Sequence, residues 1–289
     1  MKVYLRSIFI LCVCFACSNN GIEVPTQPEG VFIDDWTYEF RNLEAGTNAK
    51  FKLWVPQSIK PRATLVLSIG GGGNGTNLVD LEVWRRYAEK EKLALLGIHL
   101  TVSTINAPRT LLNGLDKITT ARDLSYISGL PFLLRGHSSG GYFSYNFASQ
   151  YPNRTIAYAN IKGRMSDAVN NLPPGLLIVG EKDLAARNNS IKEFFFAKRK
   201  KSEIICLAIE PDAGHSVGNS DPLIRAFFTA VLEKRLKKDA LIHISEEESY
   251  LGNITTFNTS SFQSFQGEKE NASCTINAEF SSLWTAFVN

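Results

Sequence analysis

Apolar positions in this chain cluster in short runs, separated by polar stretches rich in turn residues. The runs lie near 63–69, 93–99, 131–135, 156–161, 175–180 and 203–209. Runs of this length, of which Gly175 to Gly180 is continuous, read as strands covered on both faces. Segments with helical spacing fall between them, near 78–92, 114–127, 139–150, 188–200 and 222–236. In the last of these Ile224, Phe227, Val231 and Leu232 share one face, as a helix packed on a core requires. Strand and helix alternate, which predicts an α/β fold: a mostly parallel, doubly wound sheet with helices on both faces. Ahead of it, the stretch Trp36 to Phe40 and the positions Phe51, Leu53 and Val55 alternate with polar residues, as antiparallel edge strands do. The main domain is expected over 31–240. Residues 17–30, with Gly21, Pro25, Pro28 and Gly30, read as a tether. Residues 241–289 form a C-terminal extension rich in Ser, Thr and Asn, through which Phe257, Phe262, Phe265 and Trp284 are spread. Those aromatics are expected to pack on the domain rather than to rim a site mouth.

Composition narrows the class. A chain of 289 residues can bury one large core, and 44% hydrophobic with 20% charged residues is the balance of a globular protein, not a disordered one. A formal charge of +3 gives no case for nucleic acid, and no zinc-type spacing of cysteine and histidine occurs. The run Lys198-Arg199-Lys200-Lys201 is expected to be a solvated helix end. Residues 1–16 read as a signal peptide: a basic start at Lys2 and Arg6, then an apolar run over 7–16 too short to span a bilayer. Ala16-Cys17 followed by Ser18-Asn19-Asn20 resembles a bacterial lipoprotein signal, although Cys14 stands where leucine is usual. That resemblance implies cleavage before Cys17, lipidation of its thiol, and export to the periplasm or cell surface with a membrane anchor; a plain secretory signal is the alternative. Loss of Lys2 and Arg6 would leave 29 basic against 28 acidic side chains, so attachment would rest on acyl chains and not on a basic patch. Cys206 and Cys274 would remain in a compartment that permits disulfides, as a buried thiol at Cys206 or, less expected, a bridge between the two.

The chemistry enters at Gly136-His137-Ser138-Ser139-Gly140, which follows the apolar run Phe132-Leu133-Leu134 and opens a helical segment. A serine on a tight strand-to-helix turn presents its hydroxyl outward, and the helix start behind it offers free N–H groups. This strand, G-x-S-x-G and helix resemble the nucleophile elbow of the α/β-hydrolase family, and the likeness extends over about 31–240. It implies an α/β-hydrolase fold with Ser138 as nucleophile and, further along the chain, an acid and then a histidine. Asp183, in Gly180-Glu181-Lys182-Asp183 after a strand-like run, matches the acid, with Glu181 as competitor. His215, in Ala213-Gly214-His215-Ser216 after the last strand-like run, matches the base. Of the other three histidines, His137 is too close to Ser138, His99 ends a strand and His243 lies beyond the last strong helix. The oxyanion donors implied are the backbone N–H of Ser139 and one from Gly71 or Gly72 in Gly70-Gly71-Gly72-Gly73; Ile69 stands where the family's HGGG form has histidine. Tyr250-Leu251-Gly252-Asn253 and Ser282-Leu283-Trp284 resemble a tail found in secreted bacterial relatives of polyester depolymerases and feruloyl esterases.

The expected activity is therefore that of an exported serine esterase that needs no metal or organic cofactor and acts on a small-molecule or polysaccharide-linked ester, acylated or feruloylated. A peptidase or an acyltransferase on the same residues, and a non-catalytic binding protein on the same scaffold, are the competing readings.

Overall fold

The mostly apolar runs become central strands because each residue must bury its side chain on one face or the other. The computed structural model describes residues 30–32, 36–42, 47–70, 73–101, 106–166, 170–238 and 240–289. The expected signal peptide, nearly all of the expected tether, and Cys17 lie outside the described residues. Nine described strands form one sheet: β1 (Val31–Phe32), β2 (Thr37–Asn42), β3 (Thr47–Trp54), β4 (Ala63–Ser68), β5 (Leu93–Thr101), β6 (Phe132–His137), β7 (Thr155–Ile161), β8 (Gly175–Gly180) and β9 (Ile205–Glu210). Their order is β1-β2-β3-β5-β4-β6-β7-β8-β9. The first three pair antiparallel, as does β3 with β5, and every later pairing is parallel. This is the mostly parallel α/β sheet that the alternation of strand and helix predicts.

Alternate residues of the strands feed two cores. On one face Leu65, Leu67, Leu133, Ala159, Ile178 and Ala208 pack with α1 (Glu82–Glu91), α5 (Ser220–Arg235) and α6 (Ala278–Val288). On the other, Val66, Leu96, Leu134, Tyr158, Leu177 and Leu207 pack with α2 (Ala107–Thr120), α3 (Ser139–Gln150) and α4 (Ala185–Arg199). The chain runs from β4 to β5 on one side and then to β6 on the other, so the strand order reverses beside β4. Ligands of open α/β sheets bind at such a reversal, beyond the carboxyl ends of the strands, and Ser138 directly follows β6 there.

Helix boundaries differ from those read off the sequence. α2 begins at Ala107, seven residues before the expected start, because Pro108 lies in its first turn, where a fixed φ and a missing N–H cost nothing. The segment expected as helix from 78 opens instead as a 3₁₀ turn over Gly75–Asp80, capped by the Asn74 side chain, before α1.

The cationic run is only half solvated: Lys200 and Lys201 are exposed, but the two residues before them are not. Lys198 and Arg199 are both buried. The Arg199 guanidinium donates to the carbonyls of Glu203 (2.7 Å), Ala272 (2.7 Å) and Lys269 (2.9 Å) and pairs with Glu246. It pins the extension to α4. The extension forms a three-stranded sheet of Tyr250–Gly252, Thr259–Ser261 and Ser273–Cys274 and ends in α6. Its Trp284 is 1% exposed and donates Nε1–H to the Leu207 carbonyl of β9 at 2.8 Å. Cys206 and Cys274 are free, buried thiols. Trp284→Ala is expected to cost about 3–5 kcal/mol, the range for deleting a large buried side chain. A urea titration would measure it, and a loss under about 1 kcal/mol would mean that the extension is only loosely attached.

Candidate active site

The turn after β6 is strained by design of its sequence. Ser138 has φ 58° and ψ −123°, a region that side chains other than glycine's rarely adopt. It is held there by its own N–H to Ile161 O (2.8 Å) and by Tyr142 N–H to its carbonyl (3.1 Å). Gly136 is obligatory at this crossing: a Cβ there would lie 1.9 Å from the Gly140 oxygen. Gly70 is pressed against the same turn, since a Cβ on it would lie 2.5 Å from Ser139 N and 2.7 Å from the Ser138 Cβ. The buried Arg135 braces this contact, with Nη1 on Ser68 O (3.2 Å) and Nη2 on Asp221 (2.8 Å). Ser139 opens α3, where the first backbone N–H groups have no partner within the helix. Gly71 and Gly72, the expected second oxyanion donors, lie outside the described residues.

Three side chains from three loops meet at this turn. His215 Nε2 is 2.9 Å from Ser138 Oγ, and His215 Nδ1 is 2.9 Å from Asp183 Oδ2. An ionised carboxylate only accepts hydrogen bonds, so the ring proton belongs on Nδ1 and Nε2 is left to accept from the serine hydroxyl. Such a chain can take a proton from the hydroxyl as it attacks and return it later. The Asp183 side chain is 2% exposed, and its other oxygen accepts from Leu184 N–H (2.7 Å) and from Arg187, one helical turn on. Burial pushes its pKa up, but the bonds from His215 and Leu184 and the charge of Arg187 outweigh that, and the carboxyl is held below its ordinary value.

Glu181, the competing acid, faces elsewhere: it is exposed and its carboxylate caps Asp212 N–H at 2.8 Å. The remaining histidines are accounted for. His99 Nδ1 is 2.7 Å from Gly73 O, so that nitrogen donates and the ring props the glycine loop. His137 stacks at 5.0 Å from the His215 ring, and its buried Nε2 has no partner. Burial first, then the nearby His215, Arg135 and Lys162, lower its pKa to about 4, so it stays uncharged at neutral pH. His243 lines a cleft apart from this site, with Arg235 and Lys201.

Sequence reading did not single out Arg187, although a cation four residues after an acid at a helix start is a readable pairing signal. Nor did it find the apolar recess beside Ser139 and Gly140. This recess is lined by Ile69, Ile98, Leu100, Ala107 and Phe143 and holds about 80 Å³. Trp84, near a candidate loop in the sequence, is wholly inside the core. Among the described residues no three of His, Cys, Asp and Glu converge as a metal site, and no helix is long and apolar enough to cross a membrane.

No protein-family model matches the chain, and no curated protein matches it in sequence. Among solved structures it is similar to the S-formylglutathione hydrolase FrmB of Staphylococcus aureus, at 15% identity over 72% of this chain and 99% of that one, with a TM-score of 0.49. It is also similar to the fluorophosphonate-binding serine hydrolase FphF of the same organism (17% identity, 71% and 99% covered, TM-score 0.47). A Pyrobaculum calidifontis esterase is comparable (13% identity, 65% and 81% covered, TM-score 0.49). At these identities nothing about substrate passes from those proteins to this one.

Proposed function

We propose that this protein is an exported serine hydrolase that cleaves carboxylic esters through an acyl-enzyme. The observation that supports this reading best is the unbroken chain Ser138–His215–Asp183, with both links at 2.9 Å and the serine held at φ 58°. In the first half-reaction Ser138 Oγ attacks the ester carbonyl carbon while His215 Nε2 takes its proton. The carbonyl π electrons move onto oxygen, whose negative charge faces the Ser139 N–H and a second donor from the glycine loop, Gly71 or Gly72. Collapse expels the alcohol, which leaves with the proton from His215. Water then attacks the acyl-enzyme carbonyl, His215 takes the water's proton, and collapse returns it to Ser138 as the acid is released. Asp183 remains ionised throughout and stabilises the imidazolium.

The recess beside Ser139 suits the acyl group. At about 30 Å³ per water-sized group, 80 Å³ holds about two or three such groups, and its walls are aliphatic and aromatic. That favours a short, apolar acyl chain over a bulky feruloyl group, and points to acylated carbohydrate among polysaccharide-linked esters. Export and attachment through a lipid on Cys17 belong to the same proposal and rest on the leader-like segment.

The test is hydrolysis of a nitrophenyl ester series from acetyl to decanoyl. kcat/KM is expected to be highest from about two to four carbons and to fall by about tenfold or more at decanoyl, which cannot enter the recess. A folded protein inert across the whole series would sink the ester reading; equal rates along it would sink the acyl assignment.

A further inference from the structure

We propose that the buried ion pair Lys162–Glu210 positions the loop that carries His215, holding the histidine in register with Ser138. Lys162 directly follows β7, and the residue before it, Ile161, is the one whose carbonyl fixes the Ser138 N–H at 2.8 Å. The Lys162 side chain is 0% exposed, and its Nζ donates to Glu210 Oε2 and to Ser216 O, both at 2.7 Å. Ser216 is the residue after His215. Glu210 ends β9, and its other oxygen accepts from Asn219 N–H at 2.6 Å. The part of the 211–219 loop that follows His215 is thus tied, at Ser216 and Asn219, to one pair of charges, whose acidic member Glu210 leads into the loop.

The surroundings leave that loop little freedom. Gly218 has φ +56°, and a Cβ on it would lie 2.1 Å from Glu210 Oε1. A Cβ on Gly180, at the start of the Asp183 turn, would lie 2.9 Å from Lys162 Cε and 2.5 Å from Ala213 O. The loops bearing Asp183 and His215 therefore meet at Lys162, and the Ser138 turn is bonded to the residue just before it. Taking both charges out of water is costly, and an apolar pair of the same volume would hold the fold as well or better. What apolar side chains could not do is bond the Ser216 carbonyl and the Asn219 amide. Lys162 and Glu210 touch neither serine nor histidine side chain, so their role is positioning.

This inference rests on the proposed reading of His215 as the base, so its test needs a readout independent of turnover. The double variant K162M/E210Q removes both charges together, and the new amide oxygen can still accept from Asn219. Two properties are followed: ester hydrolysis, and the downfield proton resonance of His215 Nδ1–H in its bond to Asp183. With melting temperature nearly unchanged, kcat is expected to fall by about 10²-fold, as for other small misplacements of a reacting group, with KM little altered. The resonance is expected to broaden or vanish. Unchanged kcat together with an unchanged resonance would overturn the proposal and leave a merely structural pair. If the double variant does not fold, Gly218→Ala replaces it, since the added methyl meets Glu210 at an exposed position; unaltered turnover and resonance there overturn the proposal equally. If the wild-type protein cleaves no ester, the resonance alone decides: present in wild type and lost in the variants supports the positioning role, and present in all of them refutes it.

Discussion

Ser138→Ala is expected to lower kcat/KM for a short nitrophenyl ester by about a thousandfold or more, with the fold intact. Ser138 is half-buried and, among the described residues, bonds through its hydroxyl only to His215, so its removal leaves no stranded polar atom in the core. Ser139→Ala is the control. Ser139 is exposed, and the role proposed for it belongs to its backbone N–H, so its side chain should matter little. A third substitution separates chemistry from strain. Ser138→Gly should be as inactive as the alanine variant, yet more stable by about 1 kcal/mol, because glycine accepts φ 58° without penalty. Alanine retains the strain. Thermal unfolding of the three variants beside esterase assays reads both effects. Residual activity in Ser138→Ala within about tenfold of wild type would remove Ser138 from the reaction.

The central sheet was legible because strands covered on both faces admit few polar residues, so β8 appears in the sequence as an unbroken apolar run and β4 and β7 as runs with only Thr64, Ser68, Thr155 and Asn160 among them, and all three are buried along their whole length. The serine, acid and histidine could be picked out because Gly136 to Gly140 resembles a nucleophile elbow and that likeness implies an acid and then a histidine after later strand-like runs, and the structure brings all three together. What escaped the sequence is what depends on distance in three dimensions. Lys198 and Arg199 look like any solvated basic helix end until the extension folds over them and supplies carbonyls for the guanidinium. Lys162 is a lone lysine in sequence, and its partner Glu210 lies 48 positions on. The start of α2 was misplaced because Pro108 reads as a breaker unless it is already known to fall in a first turn. The choice between Asp183 and Glu181 was beyond sequence for the same reason: two carboxylates two residues apart differ only in which one the turn aims at His215.

That choice yields the second large effect. Asp183→Asn is expected to reduce kcat by about 10⁴-fold, whereas Glu181→Gln should change it little. The surroundings of Asp183 set the size of the loss. One of its oxygens receives two donors, Leu184 N–H and the Arg187 guanidinium. An asparagine there must turn its only oxygen to those donors, since its NH₂ group would face them without an acceptor. The NH₂ then faces His215 Nδ1 and donates to it. That forces the imidazole proton onto Nε2, the nitrogen that must be bare to take the proton of Ser138. The variant therefore has the right shape with the wrong tautomer, so binding of ester should persist while kcat collapses. Glu181 makes its observed bond to the Asp212 amide on the loop's outer side, and glutamine can accept there as well. A collapse with Glu181→Gln and near-normal turnover with Asp183→Asn would reverse the assignment of the acid, because only the group bonded to His215 Nδ1 can select its tautomer.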